Sequence, residues 1–200
     1  MPEVVEVERT RERMRERMLR CALELFTERG YDGASIGVIA SNLGVAKSAV
    51  SYHFRTKEEL LAAVAQPAIC DLDAYFEKFR TGPLRPARRR EAITEWVRLT
   101  VKHRALLGFL AKEGDRDRPE PGFSRWPSAA EQLTQLFAGD QPDLGERIYI
   151  GAAIRGLATA PTMFPEVSDD DLQEHLLRFA DATLGRRRRR TRETPVEPTP

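Results

Sequence analysis

The residues best suited to chemistry in this 200-residue chain stand together in Ala46-Lys47-Ser48-Ala49-Val50-Ser51-Tyr52-His53-Phe54. On a helix, Val50 and Phe54 lie four apart and point inward, while Lys47, Ser48, Ser51 and Tyr52 point largely outward. The outward set offers an ammonium donor, hydroxyls that donate and accept, and an aromatic ring. Such groups can read hydrogen-bonding edges and anions. No glycine-rich phosphate loop and no nucleophile motif is present, and His53, His103 and His175 have no metal-ligand spacing. The chain is therefore expected to have no catalytic residue, no metal and no cofactor, and not to be an enzyme.

The flanking elements explain how this stretch would be held. Met14, Met18, Ala22, Leu25 and Phe26 recur at three and four residues, one face of a helix. Gly30 is its expected stop, because glycine takes the left-handed conformation without steric penalty. Ser35 is a good N-cap for a second helix with Ile36, Ile39, Ala40 and Leu43 inside. Gly44 ends that helix, Val45 fills the turn, and the short polar helix follows. Thr56-Lys57-Glu58-Glu59 reads as a capping box that opens a fourth helix, with Leu60, Leu61 and Val64 inward. Pro67 either kinks or ends it. Two short helices joined by a tight glycine turn form a unit that presents its second helix to a major groove about 12 Å wide.

The stretch from Ala22 to Val64, ALELFTERGYDGASIGVIASNLGVAKSAVSYHFRTKEELLAAV, resembles the DNA-binding domain of TetR-family repressors. Four motifs occur in order: LF-x-x-x-G-Y closing helix one, I-A-x-x-x-G-V at the turn, Y-H-F closing the recognition helix, and K-E-x-L opening helix four. The resemblance implies a ligand-responsive repressor that binds a palindromic operator as a homodimer. It also implies residue roles. Ser35 would bond a phosphate, Lys47 and Ser48 would face base edges, Tyr52 and His53 would clamp the backbone, and Lys57 would bind phosphate by charge and free amides. Each role has a plainer alternative: His53 as a packing residue, Ser35 as a cap alone, Lys57 as a solvated lysine. The sequence departs from the family where Ala46 replaces a capping Ser or Thr, which should cost about 1 kcal/mol. Ser48 stands where Gly is common. Ser51 stands where Tyr is common, which leaves one phosphate clamp in question and keeps open a helical interaction protein that has lost DNA binding.

Composition fits this reading. Hydrophobic residues make up 41% and charged residues 32%, the balance of a globular protein. Net charge is only +1, but Arg9 to Lys57 holds ten basic and five acidic residues. The arginines at 9, 11, 13, 15, 17 and 20 mix with Glu12 and Glu16; they read as a solvated helix face or as an extension touching the DNA backbone. The N-terminus has no apolar core like a secretory signal and no apolar run is long enough to span a membrane, so a cytoplasmic protein is expected. Cys21 and Cys70 are expected to be reduced.

The expected fold is all-α. A helix-turn-helix domain spans 9–66, a larger helical effector-binding and dimerisation domain 67–185, and an Arg/Pro-rich tail that cannot bury a core 186–200. In the larger domain the run from Leu144 to Thr162 is apolar nearly all round. Asp169 to Leu184 carries a broad apolar face. Gly151, Gly156, Leu172, Leu176 and Phe179 are the candidate dimer contacts, against an alternative in which the two helices form an internal hairpin. For an unknown small-molecule effector, Trp96, Phe109 and Trp126 are candidate pocket walls, and His103, Tyr149 and Arg155 candidate polar groups. Arg155 needs a partner if buried, with Asp181 as one choice.

Overall fold

A computed structural model describes residues 2–80, 84–113, 125–139 and 142–185, with the backbone alone for residues 2–5, 111 and 125–128. Among the described residues there are nine helices and no strands: α1 (Pro2–Gly33), α2 (Ile36–Leu43), α3 (Lys47–His53), α4 (Lys57–Phe79), α5 (Pro86–Lys102), α6 (Arg104–Glu113), α7 (Arg125–Ala138), α8 (Leu144–Met163) and α9 (Asp169–Leu184). The expected tail, residues 186–200, lies outside the described residues.

Local chemistry sets the helix ends. Alpha-helical geometry in α1 breaks at Gly30, whose φ of 70° lies in the left-handed region. A Cβ there would also stand 2.9 Å from Glu113 Oε1, so a side chain at this position would have to displace that carboxylate. Ser35 Oγ accepts from Val38 N–H at 3.2 Å, and Thr56 Oγ1 accepts from Glu59 N–H at 3.1 Å. Glu59 reaches back one residue further than a simple capping box, accepting from Arg55 N–H at 2.8 Å. Pro67 does not end α4. The helix runs on to Phe79, with the proline ring on its exposed side.

Two cores divide the molecule. The lower one gathers Met18, Ala22, Leu25, Phe26, Ile39, Val50, Phe54, Leu60, Leu61, Ala65 and Ala68. The upper one gathers Leu72, Tyr75, Phe79, Ile93, Trp96, Val97, Leu133, Phe137, Ile154 and Leu157, with Leu172, Leu176, Ala180 and Leu184. The change falls inside α4, between Ala68 and Leu72. The lower core is also completed from outside, because α6 packs on α1 and contributes Leu106 and Phe109. A division of the chain at 66/67 therefore assigns α6 to one domain while its apolar face belongs to the other.

Polar contacts pin α4 and α6 to their neighbours. Lys102 Nζ donates to Asp71 Oδ2 at 2.6 Å, and His103 Nε2 lies 2.7 Å from the same oxygen. Arg104 donates to Val167 O at 2.8 Å and pairs with Asp169 at 3.1 Å. Lys102, above all, holds the Asp71 carboxyl below its ordinary value, against burial that pushes it up. A carboxyl depressed by folding adds stability above its unfolded pKa of about 4, and that contribution is lost as pH falls through the lower folded value. A Tm-versus-pH profile should accordingly fall less steeply on its acid side in Asp71→Asn than in the parent. Parallel acid limbs would show that the contact carries no stability.

Candidate nucleic-acid interface

The α2–α3 pair is closed by Gly44, at φ 68° and ψ 31°. Gly44 N–H donates to Ser41 O at 3.1 Å and Val45 N–H to Ala40 O at 3.0 Å, which satisfies the carbonyls left open at the end of α2. Ile39, Ala40, Val50 and Phe54 are buried beneath the turn, so the register of α3 is fixed from below. That register leaves Lys47 and Ser48 exposed, Ser51 half-buried and Tyr52 70% exposed. Ala46 caps α3 with no side-chain hydrogen bond, so the missing cap is real. Three of the expected contact residues are therefore open to solvent on a seven-residue helix anchored at two apolar points.

Around that helix the other expected residues take defined positions. Ser35 is exposed and caps α2; its hydroxyl hydrogen remains to be donated. His53 is half-buried at the end of α3. Burial, and then Arg11 and Arg15, hold its imidazole below the ordinary value. Either ring nitrogen that carries a proton can donate to a phosphate. Lys57 stands at the first position of α4, its ammonium 3.9 Å from the centre of the Tyr31 ring. The Tyr31 hydroxyl donates to Glu58 Oε1 at 2.7 Å, the main reason the Glu58 carboxyl lies below its ordinary value. Tyr31 thus holds the ammonium of the lysine that is expected to meet phosphate. In the sequence, Gly30-Tyr31 reads only as a helix ending; the signal for the second role is an aromatic ring just past the break in α1.

The candidate effector residues are not brought together. Trp96 is buried in the upper core, and its Nε1 has no hydrogen-bond partner among the described residues. Phe109 lies in the lower core, its ring 5.4 Å from Phe26, because the inner face of α6 is turned toward α1. His103 is taken by Asp71. Tyr149 and Arg155 are exposed on α8, so Arg155 needs no buried counter-charge from Asp181. The Trp126 side chain lies outside the described residues.

The candidate dimer residues also divide. Leu172 and Leu176 face into the chain's own core, since α9 lays that stripe on α5 and α8. Gly151 faces α7, where an added Cβ would lie 3.8 Å from Thr134 Oγ1. An added Cβ at Gly156 meets nothing within 4 Å, and Phe179 is exposed. The run expected to be buried all round has one bare side: Leu144, Ile148, Tyr149 and Met163 are exposed, followed by Phe164.

Residues 18–64 match the family model described as bacterial regulatory proteins, tetR family. The N-terminal domain is a TetR-family domain. The tetracycline repressor class A of transposon 1721 from Escherichia coli is 39% identical over 54 residues, which is 27% of this chain and 25% of that protein. The negative transcriptional regulator IcaR of the biofilm operon icaADBC, from Staphylococcus epidermidis, is 34% identical over 47 residues, 24% of this chain and 25% of that one. The match spans about a quarter of the length of these curated relatives. Beyond it the likeness is one of fold: a transcriptional regulator from Aquifex aeolicus VF5 superposes with a TM-score of 0.64 at 19% identity, over 84% of this chain and 98% of that one. Among the described residues no helix is long and apolar enough to cross a membrane.

Proposed function

We propose that this TetR-family chain is a ligand-responsive transcriptional repressor of the cytoplasm, binding a palindromic operator as a homodimer. One observation carries the reading: Lys47, Ser48 and Tyr52 are bare on the second helix of a helix-turn-helix, with Lys57 braced beside them. Ser35, Ser51 and His53 complete the proposed contact set. Recognition helices of a dimer must sit about 34 Å apart to enter successive major grooves. The bare apolar side of α8, with Gly156 and Phe179, supports a twofold interface there. Trp96 Nε1, unpaired among the described residues, supports an effector that offers a hydrogen-bond acceptor inside the upper core, because a buried indole N–H without a partner is costly.

Purified protein should bind DNA from upstream of its own gene selectively, with affinity falling steeply as salt rises. In Lys57→Ala the log–log salt slope should drop by about 0.9 for each phosphate that is no longer neutralised, and binding should weaken for all sequences alike. Lack of selectivity on that DNA and in a random-sequence selection would overturn the reading, and leave a helical interaction protein that keeps the fold.

A further inference from the structure

The first turns of α1 extend beyond the core they serve. The inward stripe of α1 begins at half-buried Met14 and becomes fully buried at Met18, while residues 6–13 are all exposed. Continued toward the N-terminus at the same three- and four-residue spacing, that stripe reads Met18, Arg15, Arg11. Where an apolar side chain would extend the core, the chain places arginine twice. Both arginines lie against the end of α3: the Arg11 guanidinium is 5.3 Å from the centre of the Tyr52 ring, and that of Arg15 is 5.4 Å from the centre of the Phe54 ring.

An arginine held against a ring by a cation–π contact still has N–H donors available for an anion, while the contact orients it. Arg11 has no ion pair among the described residues, and Arg15 has only a contact at 4.0 Å with Glu12, exposed on both sides. Tyr52 is 70% exposed, so its ring is open to a further partner. Helical spacing turns the arginines at 9, 13, 17 and 20 away from α3, together with Glu16.

We infer that Arg11 and Arg15 form, with Tyr52, a second phosphate-binding edge, through which the extended α1 grips the DNA backbone beside the recognition helix. The inference rests on the DNA-binding reading and deepens it: α1 is both a core helix and part of the DNA contact. Glu12 at the flank and Glu16 on the far side limit the self-repulsion of so basic a helix, and neither stands between the two arginines on the inward stripe.

The test uses the full chain and a fluorescent duplex of random sequence, so that no operator need be known, with anisotropy titrations across a salt series. Arg11→Gln/Arg15→Gln should lower the salt slope by about 0.9 for each phosphate released and weaken binding several-fold at moderate salt. Arg13→Gln/Arg17→Gln removes the same charge from the other side and should leave the slope nearly unchanged. Arg11→Lys keeps the charge but loses the fork, and should fall between parent and double variant. Equal effects from both double variants would reduce the arginines to net charge, and no effect from either would make them a solvated face; each overturns the inference. Lys57→Ala separates the two levels: a lower slope there with no change at Arg11 and Arg15 refutes the edge alone, whereas no change at Lys57 and none at Arg11 and Arg15 refutes DNA binding by this face altogether. Unchanged far-UV circular dichroism and Tm confirm that each variant is folded.

Discussion

Phe109→Ala is expected to destabilise the protein by about 3–5 kcal/mol, the cost of emptying a well-packed aromatic site. It is also expected to weaken DNA binding, although Phe109 lies far along the chain from the recognition helix. The ring is 1% exposed and stacks at a tilt on Phe26, which in turn lies 5.8 Å from Tyr31. Tyr31 braces Lys57 on its face and Glu58 on its hydroxyl. Its backbone N–H donates to Glu113 Oε1 at 3.3 Å, at the end of the same helix that carries Phe109. A cavity beneath Phe26 would free all of these at once. Both tryptophans, Trp96 and Trp126, belong to the larger domain, so circular dichroism should detect loosening of the lower core before tryptophan fluorescence changes. Phe109→Leu keeps most of the volume and should cost less than about 1.5 kcal/mol. If Phe109→Ala leaves Tm and DNA affinity where they were, α6 is not part of the lower core.

This coupling was not legible in the sequence, and the reason is physical. The spacing of Leu106, Leu107 and Phe109 marks the inner face of a helix, but an apolar stripe says nothing about which core it enters. A pocket wall and a packing residue leave the same trace. Signals that act within a few residues were legible: the break at Gly30, the caps at Ser35 and Thr56, the left-handed Gly44, and the span of α9 from Asp169 to Leu184. So was the exposed face of α3, because Val50 and Phe54 fix its rotation from below. What failed depended on long-range partners. Leu172 and Leu176 were indistinguishable from Phe179 by type, yet α5 and α8 cover the first two and leave the third bare. Arg155 sits in a largely apolar helix and still reaches solvent, because α8 has a side that the other described residues do not cover.

Arg89→Ala should rank with Phe109→Ala, at about 3 kcal/mol or more, because it removes a buried charge that is hydrogen-bonded at both ends. Arg88, Arg89 and Arg90 look alike in the sequence, and a run of three arginines reads as a solvated face. The register of α5 separates them: Arg89 stands on the stripe with Ala92, Ile93, Trp96 and Val97, and is 6% exposed. There its guanidinium donates to Phe137 O at 2.8 Å and to Leu184 O, and lies over the Phe137 ring. Phe137 and Leu184 are in the last turns of α7 and α9, where carbonyls lack helical partners and the helix dipole is negative. One cation thus closes the ends of two helices that come from distant parts of the chain. Urea denaturation of Arg89→Ala should show the loss, and Arg89→Lys should restore only part of it, since an ammonium cannot span both carbonyls as a planar fork does. Arg90→Ala, on the exposed side, should stay within about 0.5 kcal/mol of the parent. A cost at Arg89 no greater than at Arg90 would mean that water replaces the two bonds freely. Because α9 also carries Phe179 of the proposed dimer face, the Arg89→Ala protein should dissociate at a higher concentration than the parent, which sedimentation over a dilution series would detect.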